Sequence, residues 1–174
     1  TGGDLEVILK DLAHAPIAAE VQRRTLGADE EETFQSRLTG LADLTAGVDA
    51  FPNLPIDANG PVVTVVRGKV GNTTGTFDTE MVSMSLSGST ALGPYQIREN
   101  QTRSSTGQTT ITDIGGGQFQ IDSFFDVFVE LSVDGGPFQP QTNSPGRLEL
   151  ERIPPTVTLP TSALPPEPNP PNCD

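Results

Sequence analysis

The side chains that could do chemistry are few in this chain. Its 174 residues include one histidine (His14), one cysteine (Cys173), one tyrosine (Tyr95) and no tryptophan. A Ser-His-Asp triad would have to use His14, and no nucleophile motif lies near it. A zinc site usually takes several Cys or His ligands, which the chain does not contain. We therefore expect no enzyme and no catalytic residue, and we interpret His14 as a surface or helix-entry residue.

Carboxylates are the one abundant reactive group, with 23 Asp and Glu. Glycoside hydrolysis uses two of them, but sugar-cleaving sites also tend to offer aromatic platforms, and Trp is absent. Calcium prefers oxygen ligands and is the alternative use of the acids at 29–32, or of Asp113, Asp122 and Asp134. No twelve-residue EF-hand loop is present. We expect no cofactor and no metal site, with calcium as the alternative.

The charge balance bears on partners. A formal net charge of -13 with ten scattered Lys and Arg argues against nucleic acid, because phosphate binding needs clustered cations. No apolar run approaches the roughly 20 residues that a membrane span requires. The chain starts at Thr1 rather than Met, which we interpret as removal of a secretory signal peptide. We expect an extracellular or cell-surface protein.

The stretch 122–136 has the clearest pattern. Its alternate residues are apolar without interruption, which is typical of a β-strand with one buried side. It ends at Asp134-Gly135-Gly136, residues that favour a turn. The predicted core face carries Phe125, Val127, Val129, Leu131 and Val133.

Further short strands follow one another between residues 62 and 159. In 78–87 the residues Val82, Met84 and Leu86 point one way and are predicted core, with serines opposite. Gly and Pro punctuate six to nine such strands, and no helical pattern separates them, so the sheet should be antiparallel. The predicted fold is mainly β, an Ig-like or jelly-roll-like antiparallel sandwich.

The first fifty residues predict a strand and then a helix. Leu5, Val7 and Leu9 alternate with other residues over 4–10. A short helix over 16–25 is followed by a better one, because Asp29 and Glu32 match a helix-capping pattern. An apolar stripe at helical spacing then follows: Phe34, Leu38, Leu41 and Leu44.

Composition divides the chain into four parts. Residues 1–50 form an N-terminal strand and helical extension, and 51–61, rich in Pro and Gly, form a linker loop. Residues 62–159 form the β-sandwich domain, and 160–174 form a Pro-rich extended tail. This tail is either a disordered linker or an arm that lies on another subunit.

Three segments carry a resemblance. DTEMVSMSLSG at 78–88, TDIGGG at 112–117 and DSFFDVFVELSVDGG at 122–136 resemble a β-sandwich module of secreted and surface proteins of environmental bacteria. That module has no assigned activity. The resemblance implies export and a structural role at the cell surface, and it carries no catalytic motif.

Two functions follow as expectations. In the first, the chain is a structural subunit of an extracellular filament or surface assembly of its own copies. The N-terminal strand would then complete a neighbour's sheet through Leu5, Val7 and Leu9. Folding of this strand onto its own domain is the alternative that the sequence leaves open. In the second, the chain is an adhesin or ligand-binding module of a larger secreted protein, with cell-surface or glycan contacts.

Overall fold

The chain is built almost entirely of β-strands. The computed structural model describes residues 5–17, 21–141 and 144–150, of which 77% lie in strands and none in a helix. The eleven strands are β1 (Leu5–Pro16), β2 (Gln22–Leu26), β3 (Asp29–Ala46), β4 (Asp49–Val66), β5 (Gly75–Thr90), β6 (Gly93–Glu99), β7 (Ser105–Gly115), β8 (Gln118–Val127), β9 (Val129–Val133), β10 (Gln139–Pro140) and β11 (Gly146–Leu150).

Seven of these strands close into a barrel. The order around it is β1, β3, β4, β5, β7, β8, β11 and back to β1. Every pair is antiparallel except β1 with β11, where His14 lies opposite Leu150 in a parallel pair. The prediction of a mainly β fold is confirmed. The architecture is a closed mixed barrel with additional strands, not clearly a sandwich.

The additional strands branch from the barrel. Residues 75–81 of β5 pair with β7, whereas residues 85–90 pair with β6, which continues to β9 and β10. Phe128 lies between β8, a strand of the barrel, and β9, one of the additional strands. Its N–H donates to Ser105 Oγ at 3.1 Å, and its carbonyl accepts from the Asn100 N–H at 2.7 Å. These bonds satisfy the backbone at the point where the sheet divides.

The predicted helix over residues 29–44 is wrong, because β3 occupies this segment. Phe34, Leu38 and Leu44 stand four or six residues apart, and an even spacing puts them on one face of a strand as well. Ser36 and Ala42 complete that inward face. The acids that suggested a helix cap instead pair with arginines: Asp29 with Arg67, Glu31 with Arg24, and Glu32 with Arg23.

Strands also occupy the other N-terminal segments for which the sequence predicts a helix or a loop. Residues 22–25 of the predicted short helix lie in β2, and residues 18–20 lie outside the described part. The segment 51–61, predicted as a linker loop, belongs to β4. Pro52 and Pro55 precede Ala58–Val66, the stretch of β4 that pairs with β5, so no bond to β5 is lost there. The described strands of residues 1–50 therefore belong to the same sheet as those that follow.

The inward residues of the strands make the core. Six of the predicted core residues are buried: Met84, Leu86, Phe125, Val127, Val129 and Leu131. Val133 is partly buried and packs against them. Val82 was predicted wrongly, since it is 51% exposed. Ser83 lies opposite Val63 and Met81 opposite Thr64, which leaves Val82 as the unpaired residue of a β-bulge. The bulge turns Val82 outward and Met81 inward.

Two sequence-based predictions lie outside the described residues: the Pro-rich tail at 160–174 and Cys173. Within the described part, no helix is long and apolar enough to cross a membrane.

Candidate functional site: a cavity at one end of the barrel

A cavity of about 410 Å³ opens at one end of the barrel. It lies where β1, β4 and β11 end and where β3 begins, and β7 and β8 form its opposite wall. Such barrel ends hold ligands because the inward side chains stop there and leave space. Its apolar wall consists of Phe34, Val66, Ile111, Ile121, Phe125 and Leu150.

A β-bulge in β1 directs His14 into this space. Lys10 lies opposite Leu41 and Ala13 opposite Thr39, so Asp11 and Leu12 together face the single residue Gly40. Asp11 has φ of 51°, the left-handed conformation that such a bulge uses. Before the bulge Val7 and Leu9 point inward, and after it Leu12 and His14 do. Without the extra residue, His14 would face outward.

His14 is buried in apolar surroundings, against the expectation of a surface residue. It is 4% exposed, and the ring of Phe125 meets it edge-on with the centroids 6.0 Å apart. Burial lowers the pKa of His14 to about 4, so the imidazole is neutral at pH 7.

One nitrogen of this imidazole is unsatisfied. Three buried side-chain atoms of the described residues lack a hydrogen-bond partner: His14 Nε2, Thr79 Oγ1 and Gln141 Oε1. Only His14 among these three residues lines the cavity. Buried polar groups are nearly always bonded, so an exception beside an open cavity indicates a place for a ligand group or water.

The other polar groups of the wall are hydroxyls. Thr64 is 2% exposed, and Thr109 and Ser123 are hydrogen-bonded to each other across β7 and β8 at 3.0 Å. Hydroxyls of this kind can turn to donate or accept. They give the mostly apolar wall a few positions for polar contact.

Charged residues gather at the mouth of the cavity. Arg23 Nε lies 2.9 Å from Glu32 Oε1 and 3.5 Å from Glu30 Oε1. Lys69 donates to the Asn72 carbonyl at 2.7 Å and lies 5.5 Å from the ring centroid of Phe77. These two cations and two carboxylates cancel, so the mouth has no net charge despite the acidic chain.

Apolar side chains also reach solvent at the mouth. Phe119 and Ile121, on the outer part of β8, are 48% and 44% exposed and line the cavity entrance. They continue the apolar wall outward to the surface. Apolar side chains therefore continue from the surface to the inner wall of the cavity on the β8 side.

The contacts of His14 bear on the chemistry that the cavity could support. Within the described residues, His14 has no hydrogen-bonded carboxylate to orient it and no hydroxyl nucleophile bonded to it. General-base catalysis requires such contacts, or a substrate that supplies them. Nor do three or more His, Cys, Asp or Glu side chains of the described part converge to hold a metal ion.

The predicted inter-subunit strand lies in the chain's own sheet. β1 pairs with β3 from Leu5 opposite Ala46 to Pro16 opposite Ser36. Val7 is 0% and Leu9 6% exposed, both in the core. These residues are on the same strand as His14, but they lie on the far side of its bulge.

Sequence patterns missed the site for one local reason. The alternating series Leu5, Val7 and Leu9 is followed by Leu12, and this spacing of three breaks the alternation. A break of one residue inside a strand is the available signal for a bulge. The sequence predicts a strand over residues 4–10 alone, and His14 lies beyond it.

Comparison of the chain with protein-family models, with curated proteins and with solved structures found no match. The interpretation of the cavity therefore rests on its own residues.

Proposed function

We propose that the protein binds a small, mainly apolar molecule in the cavity at the end of its barrel. The observation that carries this proposal is the cavity itself: about 410 Å³, open to solvent, apolar in its wall and lined by one buried, unsatisfied histidine. This develops the second function expected from the sequence, a ligand-binding module. The ligand would be a small molecule, not a large glycan.

The size and lining of the cavity support the proposal. Small-molecule sites commonly measure about 300–1,000 Å³ and combine apolar walls with a few polar groups. Each Å² of apolar surface removed from water contributes about 25 cal/mol. A ligand enclosed by Phe34, Ile111, Ile121 and Phe125 would therefore gain most of its affinity from burial. Proton transfer is no part of the proposal.

A cavity-filling variant tests this function. Ile111 faces the cavity from β7 and Thr112, its neighbour, is exposed on the outside. We expect straight-chain alcohols from hexanol to dodecanol to bind the intact chain in calorimetric titrations. Ile111→Trp should weaken the tightest of them about tenfold or more, since its ring occupies the space, and Thr112→Trp should not. Equal binding of the alcohols by both variants would contradict the proposal. Failure of the parent chain and of both variants to bind any of the alcohols would also contradict it.

A second candidate function is a subunit of an extracellular assembly that exchanges β1 between copies. The observation that favours it is the position of β1: it forms a continuous strand in the sheet and places Val7 and Leu9 in the core. A neighbour's β1 could make the same contacts, as in domain swapping. The acidic composition would keep unassembled subunits soluble.

Crosslinking distinguishes exchange from folding within one chain. Glu6 of β1 lies opposite Thr45 of β3. In a Glu6→Cys, Thr45→Cys variant with Cys173→Ser, strand exchange predicts covalent oligomers after oxidation at neutral pH. Crosslinked monomers alone, with no filaments by negative-stain electron microscopy, would contradict it.

A further inference from the structure

His14 lines the cavity and has one polar atom without a hydrogen-bond partner in the described part of the chain. His14 Nε2 is shielded from solvent and has no hydrogen-bond partner among the described residues. Around it, Leu38 lies opposite on β3, Leu150 lies opposite on β11, and Phe125 meets the ring edge-on. A buried nitrogen in such surroundings lowers stability unless a partner reaches it. A ligand that carried a hydrogen-bonding group to this point would remove that penalty.

The charge of the ligand follows from the charges around the cavity. The imidazole is neutral at pH 7, and the charged residues that line the cavity are Arg23, Glu30, Glu32 and Lys69. Arg23 forms ion pairs with both glutamates. A carboxylate or ammonium group beside His14 would therefore be buried without a counter-charge, which is strongly unfavourable.

A carboxylate held at the mouth is also disfavoured. Lys69 is the one cavity-lining cation without a carboxylate partner in the described residues. Its ammonium already donates to the Asn72 carbonyl and lies over the Phe77 ring. An acid bound there would have to compete for this cation and would leave Nε2 unsatisfied.

We infer that the ligand is an uncharged alcohol or phenol with an apolar skeleton, and that its hydroxyl hydrogen-bonds to Nε2 of His14. This inference rests on the proposed binding function and names the ligand class. A hydroxyl both donates and accepts, so it suits either tautomer of a neutral imidazole. Phe34, Ile111 and Ile121 pack against the skeleton behind it.

A matched series of probes tests the inference. For the chain length that binds best, we compare the alcohol, the alkyl chloride, which lacks the hydroxyl, and the carboxylate, by titration calorimetry at pH 7. We expect the intact chain to bind the alcohol about three- to tenfold more tightly than the chloride, the range of one neutral hydrogen bond. The carboxylate should bind more weakly than the alcohol.

Variants at position 14 assign this preference to the imidazole. His14→Leu should bind alcohol and chloride with equal affinity, and His14→Gln should recover part of the preference for the alcohol. Equal affinity of the intact chain for alcohol and chloride would overturn the inference while leaving the binding function in place. Tighter binding of the carboxylate would also overturn it and point to Lys69. No binding by any probe would overturn the binding function itself, and the inference with it.

Discussion

At the scale of single residues, His14 stabilises the fold less than buried side chains usually do. Its Nε2 is unsatisfied, and neutral imidazole loses its water on folding. Leucine at this position would pack against Leu38, Leu150 and Phe125 without that loss. The presence of a polar residue where an apolar one would be more stable is what a binding site requires.

The protonation of His14 gives the first prediction. Its pKa falls from 6.5 to about 4 on folding, so the folded chain holds fewer protons between these values. Stability is therefore present above pH 6.5 and is lost as pH falls toward 4. Between pH 7 and pH 5 the intact chain should lose about 2 kcal/mol more unfolding free energy than His14→Leu. Urea titrations at both pH values measure this difference.

The pH comparison also checks the burial of the ring. Equal losses in the intact chain and in His14→Leu would show that the ring is solvated or protonated in the fold. At pH 7 His14→Leu should unfold at a higher urea concentration than the intact chain. The substitution removes an unsatisfied polar group, and burying such a group costs about 1–3 kcal/mol. Unfolding at a lower concentration would mean that Nε2 has a partner.

At the scale of elements, the bulge of β1 is what turns His14 inward. It depends on Gly40, since a Cβ there would lie 2.7 Å from Leu12 Cδ2 and 2.9 Å from the Lys10 carbonyl oxygen. Backbone cannot easily move away from such a contact. The single glycine opposite the bulge is therefore part of the architecture of the site.

A substitution at this glycine gives the second prediction. Gly40→Val should lower the unfolding free energy by about 1–3 kcal/mol, the range of overpacking. Gln35→Ala, at an exposed position of the same strand, is the control and should change it by less than about 0.5 kcal/mol. Chemical denaturation of the three proteins measures both. A Gly40→Val chain as stable as the parent would contradict the packing at the bulge.

The sequence predicts elements well where one period is unambiguous. Residues 125–133 alternate strictly, and they form β8 and β9 with the predicted face inward. It fails at β3, where apolar residues four apart fit both a helix and a strand, and pairing with β1 and β4 decides between them. Val82 and His14 were misplaced for a shared reason. A bulge inverts the alternation, and its position depends on the partner strand.

At the scale of the whole molecule, ion pairs join strands that are distant in sequence. Asp43 accepts from Lys10 Nζ at 2.7 and 2.8 Å and from the Asn53 N–H at 2.7 Å, which links β3 to β1 and β4. The Lys10 hydrogen bond, then that of Asn53, holds the pKa of Asp43 below its usual value. A hydrogen bond from the Gly68 N–H lowers the pKa of Asp29, and a hydrogen bond from Arg37 lowers the pKa of Asp57.

These aspartates predict a loss of stability in acid. Each has a lowered folded pKa, so its contribution is present above the unfolded value near 4 and disappears as pH falls through the folded value. Burial raises the pKa of Glu99, so the ionisation of this group lowers stability as pH rises, opposite to the effect of the aspartates. Asp43→Asn should unfold more easily than the parent at pH 7 and by a smaller margin at pH 2, as followed by urea titration. A difference that is the same at both pH values would contradict a charge effect, and added salt should shrink it.

The most direct test of the central claim is an NMR titration of isoleucine methyl groups with the best-binding alcohol. Ile111 and Ile121 line the cavity, whereas Ile56 and Ile97 are buried and do not line it. We predict saturable shifts of the Ile111 and Ile121 methyl signals, with those of Ile56 and Ile97 unmoved. Shifts confined to Ile56 and Ile97, or no saturable shift at any isoleucine, would contradict ligand binding at this end of the barrel.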